Sequence, residues 1–233
     1  MNVKNLLFAA SAALTVSLQA EVTANNTLCR IEVESAANSV IVAVPLVQVG
    51  NGAAIKVTDY ILATNLQKGD SILKWNGAAW DGWTKNAKGG WDALTSVSGT
   101  KKSSTANPAA DSALARGAAI CISRSDASKG CYLYGQVADG EVTSKAGAKQ
   151  WTLLGNPKTT KLNPAETVGF EGVHDGDKIH FVDSADGASP KTYVYNGGKW
   201  VSSGRTSGSL AMISVGQGFW YENTGAGDVS ITW

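Results

Sequence analysis

The sequence predicts an all-β protein made of two tandem, related β modules, each sandwich- or barrel-like with one short helix, preceded by an N-terminal strand. Three observations predict this class. Apolar and polar residues alternate with a period of two in short segments such as residues 219–222 and 229–233. The 26 glycines and 8 tryptophans are typical of a turn-rich β protein. The same landmarks also occur twice along the chain.

The repeated landmarks define the modules. KGDSIL (68–73) resembles DGDKIH (175–180), and the hexamers WNGAAW (75–80) and YNGGKW (195–200) follow them. RGAAICIS (116–123) aligns with GQGFWYEN (216–223), which places Cys121 opposite Tyr221. VIVAVP (40–45) matches WTLLGNP (151–157) at its proline. This order predicts a first module over residues 40–147 and a second over residues 148–233.

The first 20 residues are predicted to be a signal peptide. Lys4 supplies the positive charge, residues 6–18 are an apolar run too short to span a bilayer, and Ala20 precedes the cleavage site. A buried helix is the alternative interpretation. Export predicts a periplasmic, extracellular or cell-surface location, and no later apolar run reaches transmembrane length. Loss of Lys4 brings the formal charge from +1 to zero, which argues against a nucleic-acid partner.

Residues 21–39 form the predicted N-terminal strand segment. LCRIEV (28–33) has no counterpart in the second module, so it could add to a sheet edge of another subunit, or pair within its own chain. Cys121 and Cys131 flank a turn-like run, which predicts a disulfide across a hairpin. Cys29 is then left over as a buried thiol, an assembly link to another chain, or the true partner of one of the pair.

Local turn and helix signals complete the fold prediction. Each hexamer is predicted to be the tip of a hairpin, because Asn-Gly accepts the positive φ that tight turns need and large rings then meet across the strands. Short helices are predicted over residues 58–65 and 163–170, the second because Asn163 can cap it and Pro164 fits its first turn.

The second module carries the pattern W-x-L-L-G-N-P … G-D-x-I … Y-N-G-G-x-W … G-Q-G-F-W-Y over most of residues 150–223. In this it resembles a β module that occurs, often in tandem, in exported bacterial proteins of unknown function. The first module departs from the pattern, with Val44-Pro45 for Asn-Pro and RGAAIC for GQGFWY. The resemblance implies an all-β, secreted, surface-associated protein and brings no catalytic residues.

Metal-ligand chemistry is concentrated in HDGDKIH (174–180), followed by Asp183 and Asp186. The candidate ligands are His174, Asp177 and His180. The first module keeps Gly69-Asp70 but has Gln67 and Leu73 at the two histidine positions. The duplication therefore favours a turn that leads into a strand, and no metal site or cofactor is predicted.

Binding by aromatic residues is the second hypothesis. Trp75, Trp80, Trp83 and Trp91 lie within 17 residues and could stack on sugar rings, with core packing as the alternative. Because Trp80 matches Trp200 in the alignment, Trp83 and Trp91 are the predicted glycan-binding residues.

The leading hypothesis is an exported, non-catalytic structural or adhesive surface protein that self-associates or binds other proteins. No catalytic residues are predicted, since no G-x-S-x-G elbow and no parallel-sheet pattern occur. Paired carboxylates of a glycosidase leave no sequential pattern, so a hydrolytic or metal-dependent enzyme stays as the third hypothesis.

Overall fold

The computed structural model describes residues 14–23, 26–35, 39–47, 54–56, 66–95, 103–104, 113–125, 131–138, 140–163, 169–182, 190–203 and 213–233. All regular structure in these residues is β, which confirms the all-β prediction. The strands are β1 (Leu14–Thr23), β2 (Asn26–Ser35), β3 (Ser39–Ala43), β4 (Leu46–Val47), β5 (Ile55–Lys56), β6 (Ser71–Trp75), β7 (Trp80–Lys85), β8 (Trp91–Thr95), β9 (Ser103–Ser104), β10 (Ala113–Leu114), β11 (Ala119–Ser123), β12 (Cys131–Val137), β13 (Thr143–Ala146), β14 (Trp151–Gly155), β15 (Gly169–Glu171), β16 (Lys178–Val182), β17 (Pro190–Asn196), β18 (Lys199–Ser202), β19 (Gly218–Glu222) and β20 (Val229–Thr232).

Two antiparallel main sheets have corresponding strand orders. The first main sheet runs β3-β11-β6-β7-β8-β9, and the second runs β14-β19-β16-β17-β18. In each, consecutive strands form a meander (β6 to β9 in the first sheet, β16 to β18 in the second), and a later strand (β11 or β19) lies between that meander and the opening strand. The two main sheets therefore share one strand order, the first within residues 39–123 and the second within residues 151–222.

Each main sheet packs on a smaller sheet to enclose a core. The first core lies between the first main sheet and the N-terminal sheet β1-β2-β12-β4, where Ile72 and Ile120 meet Leu46 and Leu133. The second core lies between the second main sheet and the C-terminal sheet β13-β20-β15, where Phe219 and Tyr221 meet Ile231. The alternation along each strand follows from this, because one face of each main sheet is covered.

Backbone hydrogen bonds identify which strands of the two meanders are equivalent. The nitrogen of Gly69 donates to Lys85 and the nitrogen of Lys85 donates to Asp70, as Gly176 donates to Tyr195 and Tyr195 to Asp177. Strand β7 therefore corresponds to β17. The hexamers consequently lie at different hairpins, with WNGAAW between β6 and β7 and YNGGKW between β17 and β18.

This register corrects one detail of the sequence alignment. Trp80 does not correspond to Trp200. Trp91 holds that place, because it pairs with Lys85 as Trp200 pairs with Tyr195. The hairpin prediction itself is confirmed, since Trp75 pairs with Trp80 and Tyr195 with Trp200, with ring centroids 5.4 and 5.3 Å apart. Gly77, Gly197 and Gly198 supply the positive φ values in these turns.

The alignment of β11 with β19 also shifts by one residue. Ser125 and Thr224 donate equivalent hydrogen bonds to Asp70 and Asp177, so Cys121 corresponds to Trp220 rather than to Tyr221. A shift of one residue exchanges the faces of a strand. Ile122 and Tyr221 accordingly share the fully buried core position.

The two short helices were predicted in regions that the structure describes only in part. Residues 58–65 lie outside the described residues, as do residues 164–168. The end of the second predicted helix is wrong, because Gly169 and Phe170 belong to β15 and pair with β20. Pairing with a covered sheet outweighs the weak local helix signal there.

The two modules meet through reciprocal backbone contacts, which we call the junction. The nitrogen of Ala43 donates to Gly216 at 2.8 Å, and the equivalent nitrogen of Gly155 donates to Gly117 at 2.9 Å. Two isolated bridges, Val42 with Gln217 and Ala118 with Leu154, repeat the same exchange. Such reciprocity is the pattern of a twofold interface, here within one chain.

Close approach at the junction requires a glycine on one side. A Cβ at Gly218 would lie 2.9 Å from the Cβ of Ala119, its equivalent in the first module, and 2.5 Å from Ile41. A Cβ at Gly155 would overlap Ala43, also its equivalent. Equivalent residues face each other across the junction, and only one of each pair has room for a side chain.

Candidate functional site

Asp177 is fully buried and anchors the turn before β16. Its carboxylate accepts hydrogen bonds from the backbone nitrogens of His174 (3.0 Å) and Thr224 (2.7 Å) and from the hydroxyls of Thr224 (2.9 Å) and Tyr221 (2.8 Å). All four donors come from the protein. This carboxylate is therefore occupied as a turn anchor rather than presented to a ligand.

Asp70 anchors the equivalent turn in the first module, before β6. It accepts hydrogen bonds from the nitrogen of Gln67 (2.7 Å) and from the nitrogen and hydroxyl of Ser125 (both 2.8 Å). The equivalent of Tyr221 is the apolar Ile122, so Asp70 has no counterpart of the Tyr221 hydroxyl. The Gly-Asp motif that the two modules share is thus a structural turn.

Hydrogen bonding keeps Asp177 charged. Burial by itself raises the pKa of this carboxyl, but the hydrogen bonds from His174, Thr224 and Tyr221 favour the anion and bring its pKa below the ordinary value of 3.8. Burial and the neighbouring anion raise the pKa of the Tyr221 hydroxyl well above its ordinary value of 10.0. Neither group is poised for proton transfer near neutral pH.

The two histidines contact different groups. The His174 ring lies 3.8 Å from Asp177 through Nδ1 and packs against Gly225. His180 stacks on Trp151 with ring centroids 4.8 Å apart. Within the described residues, no group of three or more histidine, cysteine, aspartate or glutamate side chains could hold a metal. Asp183 and Asp186 lie outside those residues.

His180 belongs to a small polar group on the outer face of the second main sheet. Its Nδ1 lies 2.9 Å from the Thr192 hydroxyl and its Nε2 lies 3.4 Å from Glu222, which accepts a 2.8 Å hydrogen bond from Lys178. Burial lowers the pKa of His180 below 6.5, and the charge of Lys178 lowers it further, against the opposing effect of Glu222. The imidazole is held neutral at physiological pH.

The two predicted glycan-binding tryptophans, Trp83 and Trp91, pack in or against the first core. Trp83 is 9% exposed and belongs to the first core, so its ring faces are not available for a sugar. Trp91 is half-buried against the same core, and Lys85 Nζ lies 4.8 Å from its ring centroid. Trp83 is therefore a core residue, as the alternative interpretation expected, and Trp91 is largely one as well.

Sequence reasoning missed a different aromatic group, which we call the tryptophan cluster. It consists of Trp220, buried at the centre, and three half-buried indoles around it: Trp75, Trp80 and Trp151. Ring centroids of Trp220 lie 5.4, 5.6 and 6.1 Å from those of Trp75, Trp80 and Trp151, all edge to face. Trp75 Nε1 donates to the backbone oxygen of Trp151 at 2.7 Å and so ties the modules together.

The N-terminal strand segment lies in a hairpin. Strand β1 pairs with β2 over ten residues, from Leu14 opposite Ser35 to Thr23 opposite Asn26. The other edge of β2 pairs with β12. Residues 14–20 of β1 belong to the predicted signal peptide, and Ala20 lies opposite Cys29.

The predicted Cys121–Cys131 bridge is not formed in this structure. Cys121 is a free, buried thiol in β11, and β12, which begins at Cys131, lies in a different sheet. The two strands therefore do not make the hairpin that the prediction assumed. Burial raises the pKa of the Cys121 thiol to about 12, which makes it unreactive in the folded protein.

Comparisons with known proteins add no family to this description. No protein-family model matches the chain, and neither a search of curated proteins nor a search of solved structures finds a match. In the part of the chain that the structure describes, no helix has the length and apolar character needed to cross a membrane.

Proposed function

We propose that the protein is an exported, non-catalytic surface component, structural or adhesive, that acts through contacts with other proteins. The observation that carries the proposal is the position of the predicted signal peptide within β1. Cleavage after Ala20 removes the seven residues that pair with β2 from Cys29 to Ser35. Only residues 21–23 remain beside β2.

The uncovered edge of β2 is suited to protein contacts. A strand edge presents unpaired backbone N–H and C=O groups that can pair with another chain. The opposite edge of β2 keeps its pairing with β12, so the strand remains held in the N-terminal sheet after cleavage. The mature protein is thereby given a preformed site for strand addition.

The described polar groups support a role without catalysis. Asp70 and Asp177 anchor turns, and His180 is held neutral against Trp151. A catalytic acid or base must reach a proton of the substrate, whereas the carboxylates of Asp70 and Asp177 accept hydrogen bonds from their own turns. Among the described residues, the hydrogen bonds of these side chains are made to other parts of the protein and stabilise the fold.

The test is to express the full chain in an exporting bacterial host and measure the mass and solution size of the product. We expect an N-terminus at Glu21 and an associated state by light scattering. A chain kept in the cytoplasm with residues 1–20, and a mature chain lacking residues 21–34, should both be monomeric. A mature monomer at every concentration would contradict the proposal.

Glycan binding is a second candidate, and it now rests on the tryptophan cluster. Three half-buried indoles, Trp75, Trp80 and Trp151, lie around one buried indole at the junction, so each of the three residues keeps part of its surface exposed. Tryptophan emission should change on adding a bound polysaccharide. The change should be lost in Trp80→Ala and kept in the control Trp91→Ala. An unchanged emission across a broad polysaccharide panel would remove this candidate.

A further inference from the structure

The occupant of the uncovered β2 edge follows from the sequence of β2 itself. We propose that two mature copies pair through antiparallel β2 strands centred on Ile31, which closes the edge in a twofold dimer. This inference rests on the proposed function, because it requires the signal peptide to be removed. It names the partner as a second copy of this chain.

The length of the uncovered edge limits the pairing. Residues 29–35 lose their partners when residues 14–20 are removed, while Leu28 still lies opposite Glu21. A pairing centred on Ile31 uses residues 29–33 of both copies and ends before that remaining stub. Glu34 and Ser35 of the second copy then fall opposite Leu28 and Thr27, so residues 21–22 must turn away from β2 where the partner strand continues past residue 33.

Charge complementarity selects this register among its neighbours. In antiparallel pairing centred on Ile31, Arg30 of each copy lies opposite Glu32 of the other, which gives two pairs of opposite charge. A pairing centred on Glu32 places two glutamates opposite each other, which is unfavourable. The remaining positions pair Cys29 with Val33 and Ile31 with Ile31, all apolar in type.

The pattern of β1 supports the same kind of partner. Strand β1 places Ala20, Leu18 and Val16 opposite Cys29, Ile31 and Val33, and polar residues opposite Arg30 and Glu32. A replacement strand must repeat this alternation. Residues 29–33 of a second copy do so, and they add charge pairs that Gln19 and Ser17 do not make.

Disulfide trapping tests the register. In mature chain beginning at Glu21, Val33→Cys places a new thiol opposite Cys29 of the second copy, within the Cα separation that a disulfide needs. Because residue 33 also lies opposite Cys131 of its own chain, every trapping variant carries Cys131→Ser. We expect oxidation to convert most of the monomer band into a covalent dimer band without reductant. The dimer should disappear when Cys29→Ser is added and in the chain that retains residues 1–20.

Two control variants report the alternatives. Ser35→Cys would be trapped by Cys29 only in the pairing centred on Glu32, and the chain with Cys131→Ser alone would be trapped only in one centred on Cys29. A dimer in either control with none in Val33→Cys, or no dimer in any variant, overturns the inference. If such a chain still associates by light scattering, the proposed function stands and only the β2 partner is wrong. A signal peptide left uncleaved in the export experiment refutes the proposed function independently.

Discussion

The two modules share their turn anchors and differ at the surface where they meet. Asp70 and Asp177 receive corresponding hydrogen bonds, yet Cys121 in the first module corresponds to Trp220 in the second. Ala43 and Ala119 likewise correspond to glycines. At the junction the Trp220 ring packs in one cluster with Ala119, so a large side chain from one module is accommodated by a small one from the other.

The largest effect is expected from removing the centre of the tryptophan cluster. Trp220→Ala should lower the free energy of unfolding by about 3–5 kcal/mol, because it leaves a cavity that both modules line. The matched control Cys121→Ala removes only one sulfur and should cost about 1 kcal/mol. Urea denaturation measures both. Similar losses in the two variants would mean that the junction contributes little.

The next effect separates the two turn anchors. Asp177→Asn should cost about 3 kcal/mol, since a buried amide group then faces donors that had a carboxylate. Asp70→Asn should cost less, because Asp70 has no counterpart of the Tyr221 hydroxyl. Tyr221→Phe removes that hydroxyl donor and should lower the free energy of unfolding by about 1.5 kcal/mol. The Asp177 turn would then resemble the Asp70 turn in its hydrogen bonds. An equal cost for the two asparagine variants would contradict this assignment.

Acid titration checks the same carboxylate. Its pKa in the folded protein lies below 3.8, so its stabilisation is present above that value and is lost as pH falls through the folded pKa. Unfolding followed between pH 5 and pH 2 should have a smaller slope in Asp177→Asn than in the unmodified protein. Parallel curves would show that the carboxylate is not preferentially charged in the fold.

A smaller effect is expected from adding a side chain at the junction. Gly218→Ala should cost about 1–3 kcal/mol, because its new Cβ meets Ala119 and Ile41. Ala119→Gly in the same chain should restore part of the loss, since it exchanges the two residues across the junction. Gly169→Ala, where the nearest atom lies 3.7 Å away, is the control. A double-mutant cycle without coupling would contradict the reciprocal arrangement.

The smallest effect concerns His180, which stands where the first module has Leu73. Because its folded pKa lies below 6.5, its stabilisation is present above that pH and declines as pH falls through the folded pKa. His180→Gln should flatten the dependence of stability on pH in this range by a fraction of a kcal/mol. An unchanged pH dependence would show that the His180 imidazole is not preferentially neutral in the fold.

Much of the fold was predictable because its signals are local. Alternating residues, Asn-Gly turns and repeated Gly-Asp motifs predicted all-β structure, both hexamer hairpins and the structural nature of the Gly-Asp turn. The strand register was harder to predict from the sequence. The pairing of Trp91 with Lys85 and the match of Cys121 with Trp220 depend on hydrogen bonds between distant strands. A single sequence with insertions cannot distinguish neighbouring alignments when aromatic-Asn-Gly motifs occur at two hairpins.

The sequence by itself determined the strand-forming pattern, the turns and the order of the repeated motifs, because each depends on residues close together in the chain. Only the tertiary structure decided which tryptophans share a surface. Trp83 entered the first core, while Trp75 and Trp80 met Trp151 and Trp220 from the other module. The same long-range packing separated Cys121 from Cys131 into different sheets. Burial of an aromatic ring depends on what the opposite sheet brings to it, and composition does not specify that partner.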